Sequence, residues 1–121
     1  MLKGLFAVLI IAGTSIAYAD EPVPNGICEN SDPAIGNSCF AYMGKDTANP
    51  KYLHRVSAAC THSKSKWTPN ASCPTMNRMG ICKMGEGTPH ETWKVYYNGK
   101  TSANGTQNAC VKFLKGNWYP Q

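Results

Sequence analysis

In "TWKVYY" at 92–97, polar and hydrophobic positions alternate, placing Trp93, Val95 and Tyr97 on one face and Thr92, Lys94 and Tyr96 on the other. The first set is expected in the core. The run "RMGICKM" at 78–84 also suits a strand, and the turn-rich "GEGTPHE" between the two predicts a β-hairpin. In the first half, "CFAYM" at 39–43 is the matching strand, and the partner that would complete a hairpin there reads as shortened or lost. From residue 49 the period becomes helical. Asn49 caps, Pro50 stands at the first helical position where its missing N–H costs nothing, and Tyr52, Leu53, Val56 and Cys60 form one stripe. A second helix is expected with Thr106 as cap, Cys110, Phe113 and Leu114 as stripe and Gly116 as stop. "WTP" at 67–69 and "WYP" at 118–120 follow the two helices as Trp strands.

These landmarks recur. Cys28, Cys39, Cys60 and Trp67 are followed in the same order by Cys73, Cys82, Cys110 and Trp118, with "IGNSC" facing "RMGIC" and "AC" at 59–60 facing "AC" at 109–110. The pattern predicts two diverged tandem repeats, about 26–72 and 73–121, each with strands, one helix and a Trp strand. The fold class is α+β, a small disulfide-rich domain.

The first nineteen residues, "MLKGLFAVLIIAGTSIAYA", carry Lys3, an apolar stretch and small residues at Ala17 and Ala19, the layout of a secretory signal cut after Ala19. Residues 20–121 then form one exported domain, secreted or periplasmic, with no transmembrane segment in the mature chain. All six cysteines lie within it, and an even count in a short exported chain predicts a disulfide framework. The repeat suggests Cys39 with Cys60, Cys82 with Cys110 and Cys28 with Cys73, although spacing alone does not select among the possible pairings. Charge is uneven. Residues 20–50 hold five acids against Lys45, whereas from Lys51 onward ten bases face Glu86 and Glu91. A basic face for an anionic polymer is one consequence, and mutual attraction of the two halves is another. No basic run is dense enough for specific nucleic-acid recognition.

In the second half the order Gly80 to Cys82, Tyr96-Tyr97, Cys110, and Gly116 to Trp118 resembles small exported Cys-rich bacterial repeat proteins of unassigned activity, marked by "GxC", "YY", a helical Cys and "GxW". The resemblance covers about forty residues and is thinner in the first half, which lacks the Tyr pair. It implies an exported repeat and carries no activity.

Candidate chemistry is sparse. A hydrolase would draw on His54, His62 or His90, but His54 faces away from the apolar stripe, His62 lies at its rim and His90 belongs to a turn. Zinc spacing is absent. Met76, Met79, Cys82 and Met84 would suit Cu(I), against the simpler reading that the methionines fill an irregular core while Cys82 is oxidised. No cofactor or metal is expected. The sequons at Asn70 and Asn104 fall in loop-like stretches. The resulting expectation is a non-enzymatic protein offering a rigid interaction surface to a protein or glycan partner. One alternative is a glycan or anionic-polymer module using Lys83, Lys94 and Tyr96, and another is a small secreted hydrolase.

Overall fold

Six short strands form one antiparallel sheet: β1 Gly26–Asn30, β2 Ser38–Tyr42, β3 Lys66–Pro69, β4 Arg78–Met84, β5 Thr92–Tyr97 and β6 Asn117–Pro120. They come from a computed structural model that describes residues 21–30, 37–99 and 102–121. The expected signal, 1–19, lies outside the described residues. Helix α1 spans Pro50–His62, and α2 spans Ala103–Asn108 and runs on into a π-helical turn at Ala109–Phe113. The molecule is a small α+β, disulfide-rich fold.

The sheet order is β3-β1-β2-β5-β4-β6. Read from either edge, it gives the same sequence of parts: Trp strand, "GIC" strand, central strand. The registers agree as well, since Cys28 stands opposite Trp67 and Phe40, and Cys82 stands opposite Trp118 and Lys94. An approximate two-fold therefore passes between β2 and β5, at the facing pair Phe40 and Lys94.

This correspondence differs from the one predicted. Gly26-Ile27-Cys28 matches Gly80-Ile81-Cys82, and "CFAYM" matches the Thr92–Tyr97 strand, so the strand thought lost in the first half is β1. Cys73 lies in the connection between β3 and β4 and has no counterpart. The disulfides follow this geometry: Cys28–Cys60 and Cys82–Cys110 each tie a "GIC" strand to its helix, and Cys39–Cys73 ties β2 to the connection. Of the expected pairs, Cys82 with Cys110 is found. The pairs Cys39 with Cys60 and Cys28 with Cys73 are corrected, because Cys28 is the residue that faces α1, while Cys39 points to the opposite side of the sheet.

That opposite side is the core, where Ile27, Cys39, Ala41, Ile81, Trp93 and Val95 close over Cys73 with Ala71 and Tyr97 at the margin. Helix α1 begins where Asn49 and Pro50 predict, the Asn49 side chain accepting from the Lys51 N–H at 2.9 Å. The second helix departs from expectation. Its cap is Ser102, whose hydroxyl accepts from the Gly105 N–H, whereas Thr106 is buried one turn in and bonds back to the Ser102 carbonyl. Phe113 is 80% exposed and Leu114 is exposed too, so only Cys110 of the expected stripe points inward. Cys110 to Trp118 is one residue longer than Cys60 to Trp67. The π turn, closed by the Leu114 N–H on the Ala109 carbonyl, absorbs that residue. The left-handed residue ending this helix is Lys115, at φ 57°, and Lys64 at φ 62° ends α1 likewise. Gly116 instead makes room for the bridge, because a Cβ there would stand 2.6 Å from Cys82 Sγ.

Gly26 and Gly80 have a shared purpose. A Cβ at either position would lie 2.3 Å from the indole of Trp67 or Trp118, so each glycine is the floor on which a Trp lies flat. Gly26→Ala and Gly80→Ala are each expected to destabilise by about 1–3 kcal/mol, the usual range for overpacking, with red-shifted tryptophan emission. Urea unfolding checks this, and a loss below about 0.5 kcal/mol in both variants would show that the indoles are not held there.

Candidate functional site

On the helix side of the sheet, alternation and register line up one row across all six strands: Trp67, Cys28, Phe40, Lys94, Cys82 and Trp118. The two cysteines are covered by the helices they bind, α1 packing on β1 and β3, and α2 on β4. The middle of the row is left half-open. Phe40 and Lys94 lie there, with Tyr42 and Tyr96 beside them, all four half-buried.

The aromatic residues continue outward on both sides. Tyr42 packs on Trp67 at 5.8 Å between ring centroids and meets Tyr52 of α1 edge-on at 6.3 Å. Tyr96 packs on Trp118 at 5.9 Å. Between them, Lys94 Nζ stands 5.2 Å from the centre of the Phe40 ring and 5.0 Å from that of Tyr96, within cation–π range of both. Burial lowers the Lys94 pKa from its ordinary value and raises those of Tyr42 and Tyr96. Among the described residues, Lys94 has no carboxylate partner. An anion placed over the strip would meet a cation already stripped of part of its water, which strengthens the attraction. Beside Tyr96 the strip opens into a cavity of about 270 Å³ against Ser102, Gly105, Thr106 and Ala109 of the second helix.

Of the three residues expected to share a surface, Lys94 and Tyr96 do so and Lys83 does not. Lys83 follows Cys82, so strand parity sends it to the core side. There its Nζ lies 4.2 Å from the Trp93 ring centre and 4.5 Å from that of Tyr119, with Glu86 at 3.9 Å. Tyr119 donates to Glu86 at 2.7 Å and the Asn117 amide at 3.0 Å, and these bonds hold the Glu86 carboxyl below its usual pKa. Trp93 is itself engaged, donating its indole N–H to Glu91. Lys83 is thus clamped by neighbours that are already paired.

The histidines do not converge. His54 and His62 are exposed on α1, about 12 Å apart along its axis at 1.5 Å per residue. Exposed His90 approaches Asp46 at 3.4 Å. Cys82 is bonded to Cys110, so the Met76 to Met84 stretch offers no thiolate, and Met76 is largely exposed. No group of three His, Cys, Asp or Glu side chains among the described residues is arranged to hold a metal ion. Asn70 lies in a turn, whereas Asn104 is exposed in the first turn of the second helix rather than in a loop.

Phe40, Tyr42 and Trp67 escaped the sequence reading as parts of this strip. The available signal was period-two alternation in "SCFAY", which puts Phe40 opposite to Cys39 and Ala41. Comparison with known protein families, with characterised proteins and with solved structures finds no match.

Proposed function

We propose that this chain is an exported, non-enzymatic binding protein whose ligand face is the aromatic strip around Lys94. The observation that carries the reading is a half-buried lysine at the centre of the sheet, between two rings and without an acid among the described residues. A purely structural position would be filled more cheaply by a second Phe40, the residue the other half uses at the equivalent point. The bound group is anionic, and the rings on either side suit the face of a sugar, so a uronate-containing or sulfated glycan is the favoured ligand class. Both flanking helices are stapled to the sheet, which pre-orders the strip and lowers the entropy cost of binding.

Export is supported by the three disulfides, which belong to an oxidising compartment, and no helix of the described residues is long and apolar enough to cross a membrane. Cleavage after Ala19 into a secreted or periplasmic chain belongs to the same proposal. Origin by tandem duplication is part of it too, supported by the shared "GIC" register and the matched Trp strands.

Chromatography on immobilised polyuronate and on neutral dextran tests the reading. The protein is expected to be retained only by the anionic matrix, with retention falling steeply between low and physiological salt. Lys94→Met is expected to weaken binding roughly 10- to 100-fold, the cost of one charged hydrogen bond, without lowering the melting temperature. Because the Lys94 pKa is lowered, binding is lost on raising the pH earlier than for an ordinary lysine site. Equal retention on dextran, or an unaltered Lys94→Met variant, would sink the proposal.

A further inference from the structure

On the core side of the sheet, away from Lys94, lies a second concavity of about 270 Å³, lined by Glu29, Asn37, Asn77, Tyr97, Asn98 and Met76 among others. Glu29 reaches it by parity. It shares the face of Ile27 at the far end of β1, in the row with Cys39 and Val95, where the apolar core gives way to an open rim. Its carboxylate forms no hydrogen bond or ion pair with any described residue. Lys66, directly opposite on β3, is exposed and makes no bridge to it. At the equivalent place in the other half, Lys83 is clamped by Trp93, Tyr119 and Glu86, so the open setting is particular to Glu29.

Apart from Glu29, the described residues lining the cleft carry no charge. The Tyr97 hydroxyl donates to the Pro74 carbonyl at 2.8 Å, and burial pushes its pKa up to about 12, so the phenol stays neutral. Asn77 holds a left-handed conformation at φ 61°, and its carbonyl accepts the Asn98 N–H at 2.8 Å, which sets these two asparagines at the cleft wall. Buried Arg78 nearby is bound to Glu21. Among its described residues the cleft therefore presents one carboxylate that only accepts hydrogen bonds, and amides whose oxygens also accept. At the rim stands Met76, 78% exposed, a flexible apolar side chain able to pack along a methylene stem.

We propose that this cleft binds an alkylammonium group. An ammonium has three donors and no acceptor, which matches a carboxylate joined by amide oxygens, and an anion would meet Glu29 unfavourably. The volume is below that of sites for drug-sized ligands, so the bound moiety is a single chain-like group. A free diamine and the lysine side chain of a partner protein share this chemistry. The site is independent of the Lys94 strip and faces the opposite side of the sheet.

The test is titration of the ¹⁵N-labelled full mature chain with cadaverine, with a blocked Gly-Lys-Gly peptide, and with 1-pentanol as the neutral control. Cadaverine, the peptide or both are expected to shift the side-chain amide signals of Asn37, Asn77 and Asn98 at millimolar concentration, while 1-pentanol leaves them in place. Binding of cadaverine alone identifies free diamines as the source, and binding of the peptide identifies a protein partner. Glu29→Gln is expected to weaken binding at least tenfold, and Asn98→Ala to weaken it less, both with an unchanged backbone spectrum elsewhere. No shift with either amine, an equal shift with 1-pentanol, or unaltered affinity in Glu29→Gln overturns the proposal.

Discussion

Replacing Cys82 and Cys110 together with alanine is expected to lower the melting temperature by about 15–25 °C while selectively loosening the second helix. The bridge closes a loop of 28 residues, for which the chain-entropy model gives about 3–4 kcal/mol, and each degree of melting shift in a domain this size corresponds to about 0.2 kcal/mol. The local effect has a separate cause. Residues 103–113 comprise one and a half α-helical turns and a π turn, too short to persist alone, and Val111, Phe113 and Leu114 are exposed rather than packed. Cys110 is their main inward anchor. Hydrogen exchange should therefore show amides of 103–113 losing protection by more than those of α1, which keeps Cys28–Cys60 and thirteen residues of helix. The matching Cys28→Ala, Cys60→Ala variant should lower the midpoint similarly with the reverse bias. Melting should remain one transition in both, because β2 and β5 join the halves through a continuous ladder. Two separate transitions, or a shift below about 5 °C, would contradict this account.

The elements that declared themselves in the sequence are those whose residues decide their own conformation. Asn49 and Pro50 start α1 by local geometry alone, and the 78–84 and 92–97 strands carry their alternation and their turn with them. What was hidden depends on distant partners. "GICEN" at 26–30 is five residues long with a polar end, and it becomes a strand because β2 and β3 pair with it on both sides. Without β1 the landmarks align Cys39 with Cys82 instead of Cys28 with Cys82, which is why two of the three expected pairs join the wrong cysteines. The candidate site shows the same division. That Lys94 and Tyr96 share a face follows from parity within one strand, but Lys83 belongs to a neighbouring strand, and its face depends on the register of Cys82 against Lys94. Phe40, supplied by the other half, is brought to Lys94 only by the β2–β5 pairing.

The ion pair between Glu21 and Arg78 illustrates how a bulge can turn such a register to structural use, and its removal should be the most damaging single polar substitution among the described residues. β4 shifts register between Arg78 and Gly80, so Met79 is an extra residue and Arg78 falls opposite Tyr97 on the core side rather than beneath the helices. There its side chain is 1% exposed and donates to Glu21 at 2.8 and 3.1 Å, to the Pro74 carbonyl at 2.8 Å and to the Cys73 carbonyl at 2.9 Å. Burial alone would lower the guanidinium pKa, but the hydrogen bonds and charge of Glu21 outweigh it and raise the value. Glu21→Gln removes a negative charge from beside a buried guanidinium, a change expected to cost about 3 kcal/mol, at the low end for buried pairs because Glu21 is itself 16% exposed. Arg78→Met should cost less than the sum of its contacts suggests, and in the Glu21→Leu, Arg78→Met double variant most of the loss should be recovered, since well-packed apolar groups replace buried ion pairs at little cost. A chain begun at Pro22 should be destabilised at least as much as Glu21→Gln, because it lacks the same carboxylate and brings a charged N-terminus near the guanidinium. Urea unfolding of the parent, Glu21→Leu, Arg78→Met and the Glu21→Leu, Arg78→Met double variant closes a double-mutant cycle. A coupling energy of about 2 kcal/mol or more is expected, whereas additive losses would mean that Arg78 is held by partners other than Glu21.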